Sequence, residues 1–239
     1  MSRILVIPDV HLKPEMFDYA DNVDAKEYDN ICCLGDIADD WQASSVNDYK
    51  DTYDRALAFA REHSTMLWCY GNHDISYLFS SFNITFLEPG FNYWAAYEAE
   101  SFLRMLKLIL GPQLEVIHRI DNTIFSHAGV SDSFVMREIG NKTEINEVIP
   151  KINRMVTPEY ISHLWEDDSP LWVRPQYDPG IRMHNKCFQV VGHTPVKEAT
   201  LCDNVLSLDT FSTNRRGKQI GNEKMYIVDT QSFEYEMVT

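Results

Sequence analysis

Basic residues are scarce: 21 Lys and Arg stand against 36 Asp and Glu, a formal charge of −15. That deficit excludes a protein that coats nucleic acid or sits on a membrane through a polybasic patch, because phosphate would be repelled at long range. A phosphate substrate would need a local reversal of sign, which bound divalent cations supply. Glycine and proline number 10 each in 239 residues. No stretch is rich enough in Pro, Gly or Ser to act as a linker, and there is no internal repeat or low-complexity tract. The five cysteines (Cys32, Cys33, Cys69, Cys187, Cys202) are an odd set without CxxC spacing and read as buried, reduced thiols. No long hydrophobic run exists either. The opening apolar stretch, Ile4 to Ile7, is far too short for a signal peptide or a membrane span. A cytoplasmic protein without nucleic-acid or membrane partners is the expectation.

Hydrophobic residues make up 44% and charged residues 24% of the chain, ordinary globular usage that excludes wholesale disorder. The length suits one large α/β domain over residues 1–239. Arg3 to Pro8 is a continuous apolar run ending at Asp9, as a buried parallel strand would be. Asn30 to Leu34 and Thr65 to Tyr70 are two more, ending at Gly35-Asp36 and Gly71-Asn72-His73-Asp74. Between them, Val46 to His63 reads as a helix, with Tyr49, Tyr53, Ala56, Leu57 and Ala60 at helical spacing. This βαβ pattern puts the three strand ends on one edge of one sheet.

A second helix is predicted over Phe91 to Leu110, its apolar face carrying Trp94, Tyr97, Phe102, Met105, Leu106 and Ile109. Trp94, Tyr97 and Phe102 read as core or a lid rather than a base-stacking platform. Strands follow at Glu115 to Ile120 and Thr123 to Ser126, with Asp121-Asn122 as the turn. Residues 131–165 read as mostly helical, with Thr157-Pro158-Glu159 as a helix start. Asp167 to Gly180, with Pro170, Pro175 and Pro179, reads as loop. Cys187 to Val191, Val205 to Leu208, Met225 to Val228 and Phe233 to Val238 read as closing strands.

Five of these segments share one grammar, an apolar strand followed by a short turn bearing His, Asp or Asn. They are Asp9-Val-His11, Gly35-Asp36, Gly71-Asn72-His73-Asp74, Ser126-His127-Ala-Gly129 and Gly192-His193-Thr-Pro195. Strand ends are where open α/β sheets bind ligands. Carboxylate, amide carbonyl and imidazole together suit Mn²⁺, Fe²⁺ or Zn²⁺. An Asp-x-His turns up by chance about once in such a chain, whereas Gly-Asn-His followed by an acid is far rarer. A single His-containing turn is equally well a capped turn with a satisfied histidine. Five in succession, each after a strand, are not.

In this order the motifs resemble the calcineurin-like metallophosphoesterase superfamily, across residues 9–195. Gly-His-Thr-Pro without a second histidine two places on, with His127-Ala-Gly and Leu171-Trp172-Val-Arg174-Pro175, resembles its phosphoprotein phosphatase branch. That branch includes bacterial serine/threonine protein phosphatases and diadenosine tetraphosphatases. Leu208-Asp209-Thr210 adds a weaker likeness at its C-terminal end.

The resemblance implies a metallo-dependent phosphatase fold, a four-layer α/β/β/α sandwich of two mixed sheets flanked by helices. It also implies two divalent metal ions, Mn²⁺ favoured over Fe²⁺/Fe³⁺ or Zn²⁺. Asp9 and His11 would hold one, Asp36 would bridge both, and Asn72, His127 and His193 would complete the second. A hydroxide bridging cations about 4 Å apart would attack a phosphate monoester directly. His73 would protonate the leaving oxygen, oriented by Asp39, and Arg174 would fork onto the phosphate.

The branch's Gly-Asp-x-x-Asp-Arg-Gly is here Gly35-Asp36-Ile-Ala-Asp39-Asp40-Trp41, so a carboxylate replaces the arginine. Pro8 and Leu12 replace flanking glycines, and Asp74 replaces the commoner Glu. The expected function is a serine/threonine protein phosphatase-like enzyme acting on a phosphorylated protein or small phosphoester. The alternatives are a dinucleoside polyphosphate hydrolase and a non-catalytic phosphate-binding relative. His63, His118, His163 and His184 match no motif and read as ordinary surface or core histidines. Arg182 precedes the Gly-His-Thr-Pro strand, Arg215-Arg216 reads as a solvated tip, and Asp167-Asp168-Ser169 as a helix-to-loop transition.

Overall fold

Arg3–Ile7 (β1), Asn30–Cys33 (β2) and Leu67–Cys69 (β3) are parallel neighbours in the order β1-β2-β3. Leu114–Glu115 (β4) extends this sheet beyond β3, and Tyr226–Asp229 (β10) with Tyr235–Met237 (β11) closes it beyond β1. A second sheet holds Ile117–Ile120 (β5), Thr123–Ser126 (β6), Phe188–Val191 (β7), Thr200–Cys202 (β8) and Val205–Ser207 (β9), in the order β5-β6-β7-β9-β8. The computed structural model describes residues 2–81, 88, 90–140, 144–178 and 180–238. Pro179 of the predicted loop lies outside them.

Alternation along each strand builds the layers. Ile4, Val6, Cys32 and Leu34 face Phe125, Val190, Leu206 and Leu208 of the other sheet, all buried. Leu5, Ile7, Ile31 and Cys33 face the opposite way, into the helix-covered core. Glu15–Asp21 (α1), Val46–Glu62 (α2), Asn72–Leu78 (α3) and Ala96–Leu110 (α4) cover the first sheet. Asp132–Glu138 (α5), Ile145–Asn153 (α6) and Ile161–Leu164 (α7) lie on the side of the second. The architecture is thus the expected four-layer α/β/β/α sandwich of two mixed sheets.

The sequence reading needs correction at several points. The strand predicted over 115–120 is split at buried Val116, which lets β4 pair with β3 and β5 with β6. Thr157-Pro158-Glu159 does not start a helix; it is a turn before α7, whose first residue is Ile161. On α4 the buried stripe is Ala99, Phe102, Leu103, Leu106 and Leu110, whereas Trp94, Tyr97 and Met105 are exposed. Four cysteines are buried, but Cys202 is exposed on β8. No helix among the described residues is long and apolar enough to cross a membrane.

His118, on β5, is a core histidine as expected, its Nε2 3.0 Å from the Trp68 carbonyl. Burial pushes it from its ordinary 6.5 down to about 4. It stays neutral in the fold while it charges in the unfolded chain. Its contribution is therefore full above pH 6.5 and is lost as the pH falls towards 4, on the order of 3 kcal/mol in all. Urea midpoints at pH 7 and pH 5 should differ strongly for the parent chain and less for His118→Gln. Equal pH dependence in the two would remove His118 from this role.

Candidate metal centre

Five turns converge because the parallel strands of both sheets end at one place. β1, β2 and β3 deliver Asp9, Asp36 and Asn72, and β6 and β7 deliver His127 and His193. The turns are tight enough to need left-handed backbone at His11 (φ 41°), Asp36 (φ 49°) and His193 (φ 63°). Such strain collects where function over-determines the chain. Two glycines are steric requirements: a Cβ on Gly71 would strike the Asp36 carboxylate, and one on Gly192 the Asp9 carboxylate.

Each of three imidazoles sets one nitrogen against a backbone carbonyl. His11 Nδ1 lies 3.0 Å from the Asp39 oxygen, His127 Nδ1 2.9 Å from that of Leu34, and His193 Nε2 3.2 Å from that of Trp172. Donation there assigns the tautomers and turns the opposite nitrogens inward as lone pairs. His127 Nε2 then lies 2.9 Å from Asn72 Oδ1, 3.0 Å from His193 Nδ1 and 3.2 Å from Asp36 Oδ2. His11 Nε2 is 3.7 Å from the same Asp36 oxygen. Asp9 Oδ2 accepts the His193 N–H at 2.7 Å, while the buried Oδ1 has no hydrogen-bond partner among the described residues.

Acceptors therefore face acceptors in a buried space, an arrangement that calls for cations. Asp36, His127 and His193 form one group able to hold a metal ion, and Asp9, His11 and Asp36 another. The electrostatics show the same demand for positive charge, met without a cation by a proton on His127 beside Asp36. Burial works against a charge on His127, yet Asp36 and Asp9 outweigh it and lift the ring to about 9. Burial, together with Asp209 alongside, raises Asp9 well above the carboxylate range. Burial lowers His11 and His193, with His73 adding to the first and His127 to the second.

His73 sits at the mouth of the same cluster. Its Nδ1 lies 2.5 Å from Asp39 Oδ1, its Nε2 3.9 Å from Asp36 Oδ2, and its N–H donates to Asp36 Oδ1 at 3.0 Å. Burial would lower the ring, but Asp39, Asp36 and Glu88 raise it well above 6.5. Arg174 reaches the same place, its Nη1 donating to the His193 carbonyl at 3.0 Å and to Thr194 Oγ1 at 3.2 Å. Asp40 lies 3.7 Å from Lys13 Nζ, so the carboxylate in place of arginine brings a cation with it. A groove of about 410 Å³ runs from His11 past Lys13, Asp40, Asp48 and Asp51.

Three acids have no assigned role in the sequence: Asp74 and Asp209 stand inside motifs, and Glu88 stands in none. Asp74 is a structural knot: Oδ2 accepts from Asp36 and Gly71 N–H at 2.9 Å each, and Oδ1 from Ile37 N–H at 3.0 Å. Asp209, after β9, is buried beside Asp9 and His11. Glu88 lies 3.5 Å from His73 Nδ1 and belongs to no motif. The remaining histidines fall outside the centre, His63 on Asp21, His163 on Glu138 and His184 on Asp132. Arg182 lies on another cavity, with Asp132 and Asn204, and Asp168 pairs with Arg137. Arg215 and Arg216 are exposed in a turn, as expected, with the Arg215 guanidinium 5.0 Å over the Trp41 ring.

The calcineurin-like phosphoesterase family model matches residues 2–227. Among solved structures, a cold-active protein-tyrosine phosphatase from a psychrophilic Shewanella species superposes with a TM-score of 0.57 at 15% identity, over 100% of this chain and 81% of that one. A protein serine/threonine phosphatase from Saccharomyces cerevisiae gives a TM-score of 0.57 at 10% identity, over 99% and 79%. No functionally curated protein matches by sequence.

Proposed function

We propose that this chain, which belongs to the calcineurin-like phosphoesterase family and is thereby a phosphoester hydrolase, is a phosphomonoesterase of the serine/threonine phosphatase type. Its metals, Mn²⁺ by preference, would be held by Asp9, His11, Asp36, Asn72, His127 and His193. The observation that carries the reading is the buried meeting of lone pairs from three imidazoles, Asn72 and Asp36, with each outer imidazole nitrogen anchored on a carbonyl. When bound, the cations would acidify a water and neutralise the phosphoryl oxygens.

The chain's own part is proton delivery and positioning. His73 keeps Nδ1 on Asp39 and leaves Nε2 towards the centre, where a proton can pass to the departing oxygen. Arg174 stiffens the His193 turn and carries charge to the phosphate side. The carboxylates of Asp40, Asp48 and Asp51 along the groove oppose a long polyphosphate and favour a single phosphate on a neutral or cationic leaving group.

The test is product analysis of the Mn²⁺-reconstituted protein on an aryl phosphate, a phosphothreonine peptide and diadenosine tetraphosphate. Chelator-sensitive phosphate release from the first two supports the reading. Preferential ADP release from the third would put the dinucleotide hydrolase in its place. No turnover with metals bound would make the chain a binding relative.

A further inference from the structure

We propose that Glu88 is a positioning residue that holds the Asp39–His73 pair in its working geometry; the inference rests on the reading of His73 as proton donor. Glu88 lies outside every motif, yet its side chain is fully buried against the pair. Oε2 sits 3.5 Å from His73 Nδ1 and accepts the Gly90 N–H at 2.5 Å. Oε1 has no hydrogen-bond donor among the described residues. The same segment is fastened to the back of Asp39. Tyr77 OH donates to Asp39 Oδ2 at 2.9 Å and accepts from the Asn92 N–H at 2.8 Å, and Phe91 stacks on the Tyr77 ring at 4.3 Å. Asn92 Nδ2 in turn donates to Tyr49 OH at 2.6 Å.

Residues 88 and 90–92 thus clasp the helix that carries His73, with the carboxyl of Glu88 at the active end of the clasp. A residue that only filled space there would need no oxygens, since burying them without partners is unfavourable. His73 Nδ1 is already committed to Asp39 at 2.5 Å, so Glu88 has no cation of its own among the described residues. Two buried carboxyls beside one ring share a proton more readily than both ionise. Burial raises the Glu88 carboxyl, with His73 lowering and Asp39 raising it, to about 8. As a neutral acid it donates towards Asp39, fixing the carboxylate that fixes the ring.

Two substitutions of matched length separate this role from packing. Glu88→Met keeps the volume and loses the hydrogen bonds; Glu88→Gln keeps a neutral donor. Glu88→Met should lower kcat on an alkyl phosphate about tenfold, a fraction of the 10²–10⁴-fold a general acid supplies, and spare an aryl phosphate. Metal content and Tm should stay near those of the parent. Glu88→Gln should restore the alkyl rate. In a His73→Asn background, Glu88→Met should cost nothing more, because the two act as one unit.

The second readout is independent of catalysis. In the metal-free protein, the Nδ1 proton of His73, identified by its absence in His73→Asn, should resonate far downfield. Glu88→Met should shift or broaden it, and Glu88→Gln should return it. Equal losses on both substrates, shed metal, or an unmoved resonance in Glu88→Met would overturn the proposal, as would failure of Glu88→Gln to rescue. If His73→Asn itself shows no leaving-group dependence, the proton-donor reading falls, and the resonance alone decides whether Glu88 positions the ring.

Discussion

Asp36→Asn should lose its divalent cations and its activity together. Asp36 is common to two of the ligand groups that meet at the centre, Asp36–His127–His193 and Asp9–His11–Asp36. Its Oδ2 lies 3.2 Å from His127 Nε2 and 3.7 Å from His11 Nε2, between one set and the other. Asparagine keeps an acceptor for the His73 N–H, now made to Asp36 Oδ1 at 3.0 Å, so the turn has no reason to collapse. What it removes is the negative charge that both cations would share. Removing one partner of a buried charged pair costs about 3–5 kcal/mol, or about 10²–10⁴ in metal affinity. Elemental analysis after gel filtration should find both metals depleted, with kcat/KM down at least as far and circular dichroism unchanged. Full metal content in an inactive Asp36→Asn would show that this carboxylate does not bridge.

Much of that centre is legible in the sequence, for a physical reason. Strands buried on both faces read as unbroken apolar runs, so Ile4–Ile7 and Ile31–Leu34 announce their own ends, and the turn that follows each end is local. Gly71 and Gly192 are legible too: the carboxylate of Asp36 or of Asp9 stands so close that no side chain fits. The break at Val116 is not legible, because an apolar residue between two strands looks like part of either, and only the choice of partner strand divides it. Trp94 and Tyr97 sit at helical spacing but precede or begin α4, where the stripe has not yet turned to the core. Glu88 leaves no local trace. It comes from a segment without period, and its meaning arises only when Phe91 and Asn92 dock on Tyr77. Arg215 likewise acquires its place from Trp41, far away in the chain.

His73→Asn should retain both metals and lose rate in proportion to how poor the leaving group is. The side chain groups with His11 and Asp39, but with neither of the sets built on Asp36, that with His127 and His193 or that with Asp9 and His11. Its closest polar partner is Asp39, at 2.5 Å, and burial is overcome by Asp39, Asp36 and Glu88 in raising the ring well above 6.5. It therefore holds its proton through the neutral range, with Nε2 on the side of the centre. An alkoxide leaving from phosphoserine or phosphothreonine needs that proton, while a nitrophenolate departs without it. General acid catalysis supplies about 10²–10⁴-fold, so kcat on an alkyl phosphate should fall by about that much and on an activated aryl phosphate far less. Asp39→Asn should follow the same pattern more mildly, since the ring stays in place but loses the carboxylate that orients it and does most to hold its proton. A plot of log kcat against leaving-group pKa should be steeper for His73→Asn than for the parent enzyme. Parallel lines would remove His73 from proton transfer and leave it a binding group for the phosphate. Metal analysis of the same preparations separates both outcomes from a disturbed centre, because Asn72, its neighbour in the chain, places Oδ1 2.9 Å from His127 Nε2 and should continue to do so.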